Sequence, residues 1–304
     1  LSDTGIVIRN DGPRFWVDLG HETLGNQEIP CGLRGKLKRE HQRVTSIVVV
    51  GDRVQVERTP DGGGMIDAVE PRKSELSRPG FHGYVHVMAA NVDQLIIVGA
   101  AQQPRFKLHL VERFMRIANR GHMAVVVVIN KCDLEHEATI RSWVVPLLGT
   151  GVPVILTSTL DGRGVEELRA LLQGRISVLA GQSGVGKSSL VNWLYPEAMV
   201  RTNAVSDASN KGRHTTTSSR LYGLPGGGYL VDTPGIKELT LFEDDEEEES
   251  AIDIYPEITT AAAGCKFRDC THSHEPNCAV KAAVARGDIR PERYHNFLRM
   301  GESR

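Results

Sequence analysis

Gly181-Gln182-Ser183-Gly184-Val185-Gly186-Lys187-Ser188 has the spacing of a phosphate-cradling loop: two glycines with four residues between them, then a lysine and a hydroxyl residue. An apolar run, Ile176–Ala180, precedes it and a helical pattern, Ser189–Leu194, follows, which is the strand–loop–helix context this chemistry needs. Glycines let successive backbone N–H groups turn inward around phosphate oxygens, and the helix N-terminus adds the positive end of its dipole. The expected contacts run through Gly181, Gln182, Ser183, Gly184, Val185, Gly186, Lys187, Ser188 and Ser189. Lys187 is expected to reach the terminal phosphates and stabilise charge during their transfer, and the Ser188 hydroxyl to bind Mg²⁺.

The loop selects a nucleoside triphosphate without selecting its base. Asn130-Lys131-Cys132-Asp133 ends the buried-strand run Ala124–Ile129, at the carboxyl edge of a sheet, where ligands bind. A carboxylate at Asp133 can accept both the N1–H and the 2-amino group of guanine. Adenine offers no such donor pair, and leaving the carboxylate unpaired would be costly. Asn130, Lys131 and Asp133 are therefore the expected guanine contacts. Ser158 and Thr159, after the next strand, are expected to support them through backbone N–H and hydroxyl groups. Asp232-Thr233-Pro234-Gly235 ends another strand; Asp232 is expected to face Mg²⁺ through water, and the Gly235 N–H to sense the terminal phosphate. A threonine of Gly212–Thr217 could coordinate Mg²⁺ only while that phosphate is present, as a switch does.

The elements that must position these groups fall into three regions. Short alternating stretches at Gly5–Arg9, Arg14–Leu19, Gly32–Leu37, Arg53–Glu57 and Gly64–Val69, separated by turn residues, predict a small closed antiparallel barrel of the oligonucleotide-binding (OB) type, or an SH3-like one. Strands at Leu95–Val98, Ala124–Ile129, Val152–Leu156 and Ile176–Leu179 alternate with helical patterns, which predicts an α/β domain with a mostly parallel sheet. The last region has helix patterns at Ala279–Arg286, stopping at Gly287, and beyond Pro291. Residues 1–75, 76–242 and 243–304 are the expected domains. Most GTPases place the phosphate loop first and the guanine loop late. Here the order is reversed, so Gln173-Gly174-Arg175 joins what are normally the domain's two ends: a circular permutation, which compact domains with neighbouring termini tolerate.

A length of 304 residues suits two or three domains, and 40% hydrophobic residues suit a globular protein. No apolar run approaches the roughly 20 residues of a membrane helix, and Leu1–Gly5 shows no signal pattern, so a cytoplasmic protein without a membrane partner is expected. The net charge of −2 hides an acidic run, Glu243–Glu249; setting its seven negative charges aside leaves the rest at +5, which permits a nucleic-acid partner. Arg34, Lys36, Lys38, Arg39 and Arg43 form a basic cluster consistent with RNA or with a solvated face. Cys265, Cys270 and Cys278 are clustered, as in a metal site, whereas Cys31 and Cys132 stand alone.

With these motifs in this order, flanked by a barrel and a cysteine cluster, the chain closely resembles the ribosome small-subunit-dependent GTPase A family of bacteria over nearly its whole length. The resemblance implies a multidomain fold: an OB-like barrel, a circularly permuted P-loop GTPase domain and a mostly helical zinc-binding domain. It further implies a monomer that binds the small ribosomal subunit and its rRNA late in subunit maturation. There it would hydrolyse GTP to GDP and phosphate, with stimulation by the subunit. The family's switch threonine, a second Mg²⁺ ligand, falls on Thr216, and its hydrolytic histidine on His214. Its zinc pattern falls on Cys265, Cys270, His272 and Cys278. Read alone, Cys265-x₄-Cys270-x-His272-x₅-Cys278 also offers three thiolates and an imidazole, a closed tetrahedral set for one structural Zn²⁺. His274 is a spare, read as a surface residue. The glutamine that orients water in many GTPases is replaced here by Ile236, which leaves His214 as the candidate to place the nucleophile. A P-loop ATPase or small-molecule kinase is the alternative that Asn130–Asp133 opposes. A non-hydrolysing RNA-binding module is the second alternative, and phosphate release separates it from an enzyme.

Overall fold

The computed structural model describes residues 2–20, 27–40, 47–79, 85–147, 151–195, 219–232, 255–267 and 270–301. The first unit is built from β1 (Asp3–Asp11), β2 (Arg14–Asp18), β3 (Glu28–Leu33), β4 (Arg53–Arg58) and β5 (Gly64–Val69). The strands run in the order β1-β2-β3-β5-β4, and β4 pairs back on β1, which closes the barrel. Every pair is antiparallel except β3–β5, and α1 (Gly35–Glu40) lies in the connection from β3 to β4. This is an OB-like barrel, with Val17, Val54, Val56 and Ile66 fully buried inside it. One expected strand is corrected. The alternation over Gly32–Leu37 straddles the end of β3 and the start of α1. Leu37 reaches the barrel core from a helix; six residues with one apolar side chain between two lysines fit both periods, and the packing decides.

A two-stranded ribbon, β6 (Glu75–Pro79) and β7 (Val85–Ala90), follows the barrel. Its junction is held by Asp52, whose side chain is fully buried. Asp52 accepts two hydrogen bonds from the Arg72 guanidinium, at 2.8 and 3.0 Å, and one from the Val49 backbone N–H at 2.8 Å. Beside it Gly51 has a positive φ of 87°, and a Cβ there would stand 2.0 Å from the Ala90 carbonyl oxygen.

The central sheet contains β8 (Gln94–Ala100), β9 (Ala124–Asn130), β10 (Val154–Leu156), β11 (Ile176–Ala180), β12 (Arg220–Gly223) and β13 (Tyr229–Asp232). Its order is β10-β9-β8-β11-β13-β12, parallel except for β12. Successive residues of each strand face opposite sides, so these nearly continuous apolar runs feed two cores. Leu95, Ile97, Val127 and Ile129 point to the side covered by α2 (Leu108–Arg120) and α3 (Glu137–Trp143). Ile96, Val98, Val126 and Val128 point to the side covered by α4 (Val165–Leu172) and α5 (Lys187–Leu194). The connector from α4 to β11 turns at Gly174, with φ 67°, and Arg175 N–H closes it on the Leu172 carbonyl at 3.2 Å. The barrel meets this sheet where β1 pairs with β12 at Arg9 and Arg220, and where the Tyr229 hydroxyl donates to the buried Asp18 carboxylate at 2.9 Å.

The last unit holds α6 (Pro256–Ala262), α7 (Ala279–Arg286) and α8 (Pro291–Gly301) around Ile258, Val280, Ala283 and Phe297. α7 stops at Gly287, whose φ of 81° suits a glycine C-cap. This unit docks on α2: the Tyr255 hydroxyl donates to the buried Glu112 carboxylate at 2.5 Å. Among the described residues no helix is long and apolar enough to cross a membrane.

The Asp52–Arg72 pair yields a stability prediction. Arg72→Met leaves a fully buried carboxylate without its cation, and breaking such pairs costs about 3 kcal/mol or more. Urea unfolding monitored on the full chain is expected to show a loss of that size, and an unchanged midpoint would refute the role given to this pair.

Candidate functional site

The phosphate loop leaves β11 at Gly181 and enters α5 at Lys187. Its three glycines all take positive φ, 143° at Gly181, 82° at Gly184 and 96° at Gly186. At two of them space is also exhausted: a Cβ on Gly181 would lie 2.1 Å from the Val98 carbonyl oxygen, and one on Gly186 would lie 2.2 Å from Asn130 Nδ2. The glycines thus supply both the turn and the close approach of neighbouring chain. The Lys187 ammonium folds over the loop and donates to the Gly181 and Gln182 carbonyls at 2.6 and 2.7 Å. Ser183, Ser188 and Ser189 are exposed, and Val185 is buried beneath the loop.

Asn130 ends β9 one strand beyond β8, which itself adjoins β11. Its amide is fully buried; Nδ2 donates to the Val185 carbonyl at 2.9 Å, and Oδ1 accepts from the Thr157 hydroxyl at 3.1 Å. Lys131, in the left-handed conformation with φ 57°, carries its ammonium across to the Gly184 carbonyl at 2.7 Å and the Gln103 carbonyl at 2.5 Å. Asp133 follows on a short 3-10 turn, Cys132–Leu134, with its carboxylate exposed. Ser158 is buried, and its hydroxyl accepts from the Leu160 N–H at 3.2 Å, which winds 158–163 into a tight loop. Thr159 is half-buried beside it. Asp232 lies exposed at the end of β13, separated by two strands, β8 and β11, from the strand that ends in Asn130 and next to the phosphate loop's own strand. Burial and Asp232 together push the Tyr222 hydroxyl upward, and the two side chains are hydrogen-bonded. The fold therefore gathers the residues expected at the phosphate, guanine and magnesium sites on one carboxyl edge. His214, Thr216 and Gly235, with the rest of 212–217 and the acidic run Glu243–Glu249, lie outside the described residues.

The cysteine cluster is assembled by the turn before α7 and the end of α6. The ligand atoms of Cys265, Cys270, His272 and Cys278 all lie within 4.8 Å of one another. Cys265 Sγ lies 3.8 Å from Cys278 Sγ, and His272 Nδ1 lies 3.5 and 3.4 Å from those two sulfurs. A tetrahedral ion with metal–sulfur bonds of about 2.3 Å and metal–nitrogen bonds of about 2.0 Å sets edges of roughly 3.5–3.8 Å, so the donor set fits one. Desolvation and the neighbouring sulfurs push the Cys270 thiol up to about 12, and a bound divalent cation would favour its thiolate. His272 is held in a left-handed conformation, φ 62°, by Tyr294, whose hydroxyl donates to the His272 carbonyl at 2.6 Å. His274 is exposed and outside the cluster, as read from the sequence.

Residues 69–242 match the sequence pattern described as RsgA GTPase. The chain belongs to the RsgA GTPase family. A relative from Actinobacillus pleuropneumoniae serotype 5b (strain L20), named "Small ribosomal subunit biogenesis GTPase RsgA", is 41% identical over 307 residues, covering 99% of this chain and 85% of the relative. The crystal structure of YjeQ from Thermotoga maritima superposes with a TM-score of 0.76 at 33% identity, covering 99% of this chain and 97% of that one. The structure of YloQ, described as a circularly permuted GTPase, superposes with a TM-score of 0.74 at 31% identity, covering 99% and 94%. The resemblance drawn from the motifs is thus correct, and so are the barrel, the permuted GTPase sheet and the clustered cysteines and histidine. As a family member the chain is a GTP hydrolase, and its family implies GTP, GDP and Mg²⁺. What motif reading missed is the bracing: Lys131 and Asn130 each donate a hydrogen bond to a carbonyl of the phosphate loop, and Trp193 of α5 touches the 158–163 loop. No local pattern announces contacts between segments 34 to 55 residues apart.

Proposed function

We propose that this chain hydrolyses GTP to GDP and phosphate while bound to the small ribosomal subunit, and acts late in that subunit's maturation. The observation that carries the nucleotide part is the clamp between the guanine and phosphate motifs. Asn130 and Lys131 tie both loops to one edge, so a base read by Asp133 and phosphates held by 181–189 belong to one ligand. Asp133 takes the guanine N1–H and 2-amino donors, with Ser158 and Thr159 behind the base. Lys187 leaves the two carbonyls it now caps and pairs with the terminal phosphates. When bound, Mg²⁺ neutralises phosphate charge; Ser188 and Thr216 are its proposed protein ligands, with Asp232 acting through water and the Gly235 N–H on the terminal phosphate. His214 orients the attacking water or accepts its proton, because Ile236 cannot. One Zn²⁺ held by Cys265, Cys270, His272 and Cys278 has a structural role.

The partner reading rests on the relatives' names and on the barrel, a fold whose faces often carry oligonucleotides. Ribosomal RNA is the proposed contact of residues 1–75, with 76–242 as the GTPase domain and 243–304 as the metal domain, in a cytoplasmic monomer. Arg34 of the basic cluster is already paired with Glu57 and with Asp67, the latter at 2.5 Å, so it contributes less to that face than its charge suggests.

Three measurements test this. Asp133→Asn replaces an acceptor by an amide that can donate to the extra carbonyl of xanthine. GTP affinity is expected to fall roughly 100-fold while XTP is gained, and retention of wild-type GTP preference in a competition titration refutes the base site. His214→Ala is expected to bind GTP within about two-fold of wild type while phosphate release with purified small subunits drops on the order of 100-fold. Unchanged stimulated turnover removes His214 from the mechanism. Metal analysis is expected to find about one zinc per chain, lost in Cys270→Ala and Cys278→Ala; unchanged zinc in both variants contradicts the ligand set.

A further inference from the structure

Trp193 sits near the carboxyl end of α5, the helix that grows out of the phosphate loop, and 42% of it is exposed. A tryptophan so open to water, on a face of α5 that faces neither core, needs another reason for its placement. Its contacts lie across the groove, in the loop that follows β10. The indole Nε1–H donates to the Thr159 carbonyl at 3.0 Å. The ring lies over Gly162, where a Cβ would approach the indole Cη2 to 3.2 Å and where φ is +79°. The helix end is itself fixed on the same side, because Arg169 of α4 donates to the Trp193 carbonyl at 3.1 Å. The loop is also held from within, by Gly162 N–H to the Ser158 carbonyl at 2.9 Å, Ser158 N–H to the Arg163 carbonyl at 3.0 Å and the Ser158 hydroxyl under Leu160, and from α4, where Val165 N–H donates to the Gly162 carbonyl at 3.3 Å.

We infer that Trp193 is a positioning residue for base recognition: through Thr159 it locks the 158–163 loop to the phosphate-loop helix. The chemistry follows from what guanine presents. Asp133 is an acceptor and can satisfy only the base's two donors. The O6 of guanine is an acceptor and requires a donor; the Ser158 and Leu160 N–H groups are spent on the Arg163 carbonyl and the Ser158 hydroxyl, so the Thr159 N–H is the donor the 158–160 turn offers. The indole bond fixes the Thr159 carbonyl, and so holds the backbone of the residue whose own N–H is that donor. Because the same indole rides on α5, the donor to O6 keeps its distance from the phosphate loop that holds the other end of the nucleotide. Trp193 touches neither nucleotide nor metal in this arrangement; it acts through Thr159. This inference rests on the guanine site proposed above.

The test uses the full chain and two variants, Trp193→Phe, which keeps a ring over Gly162 but has no N–H, and Trp193→Ala. Dissociation constants are measured by titration for GDP and for 2-aminopurine riboside diphosphate, which keeps the 2-amino group and lacks both O6 and the N1–H, so that it binds more weakly to wild type and variant alike. Loss of one hydrogen bond that orders the donor is expected to weaken GDP binding about five-fold in Trp193→Phe, and more in Trp193→Ala. The affinity for the analogue is expected to stay at the wild-type level in Trp193→Phe, because no O6 donor is in use. GDP release measured by stopped flow should accelerate by the same factor, and thermal melting of Trp193→Phe without nucleotide should be unchanged. Wild-type GDP affinity in Trp193→Phe, or an equal loss for GDP and the analogue, overturns the inference. A wild-type chain that fails to prefer GDP over ADP overturns the guanine site itself, a different failure seen before any variant is compared.

Discussion

The buried amide of Asn130 is the fixed point of the nucleotide edge. Its two polar atoms are both used inside the protein, one on the Val185 carbonyl and one on the Thr157 hydroxyl. Each of these partners belongs to a different loop, so two segments that are far apart in sequence are set at hydrogen-bond distance from a single side chain on a third. The geometry allows no slack: Gly186 must lack a Cβ because Asn130 Nδ2 already occupies that space. Moving Asn130 would strand a fully buried amide, which costs more than the bond it makes is worth in water. The phosphate loop, the guanine motif and the loop at 157–159 therefore behave as one rigid piece, and the sheet beneath supplies only the platform.

That platform also explains why a reversed motif order is tolerated. The residues that need each other meet through side chains and strand neighbours, β9–β8–β11–β13, and none of these contacts depends on which segment is made first. What the permutation requires is a tight join between α4 and β11. Gly174 at φ 67° and the Arg175–Leu172 bond provide it in three residues. The parallel strands carry apolar residues on both faces and so read as uninterrupted runs, and every expected strand of the sheet's centre is present at nearly the expected residues.

Legibility in the sequence follows the range of the physics involved. The phosphate loop, Asn130–Asp133 and the cysteine spacing were readable because each is a local backbone shape with a fixed order of residue types. The stretch Gly32–Leu37 was misread because so few residues carry no decisive period, and Leu37 enters the barrel core from a helical turn instead. The ribbon β6–β7 and the parallel pairing of β3 with β5 had no signal, since pairing partners are chosen by closure of the barrel and not by local preference. Nothing in the helical pattern Ser189–Leu194 singles out Trp193. Its significance lies in a bond to a carbonyl 34 residues earlier, which depends on the fold.

The same reasoning connects the metal cluster to the nucleotide edge. Glu112 is buried on α2, and its partner is the Tyr255 hydroxyl from the segment entering α6; burial and that carboxylate push the Tyr255 hydroxyl upward, so it stays a donor. Arg293 of α8 stacks over the Tyr255 ring at 4.6 Å and pairs with Glu257, which locks the third unit around the same tyrosine. α2 in turn buries Val111, Phe114 and Ala118 against β8 and β9, and begins five residues beyond Gln103, whose carbonyl holds Lys131. One helix thus carries the metal unit on one face, packs the sheet with the other, and abuts the guanine motif at its start. Turning the metal unit relative to the sheet would break the hydrogen bond between the Tyr255 hydroxyl and the buried Glu112 carboxylate. The unit is therefore set against α2, which packs on β8 and β9, and β9 leads into the guanine motif.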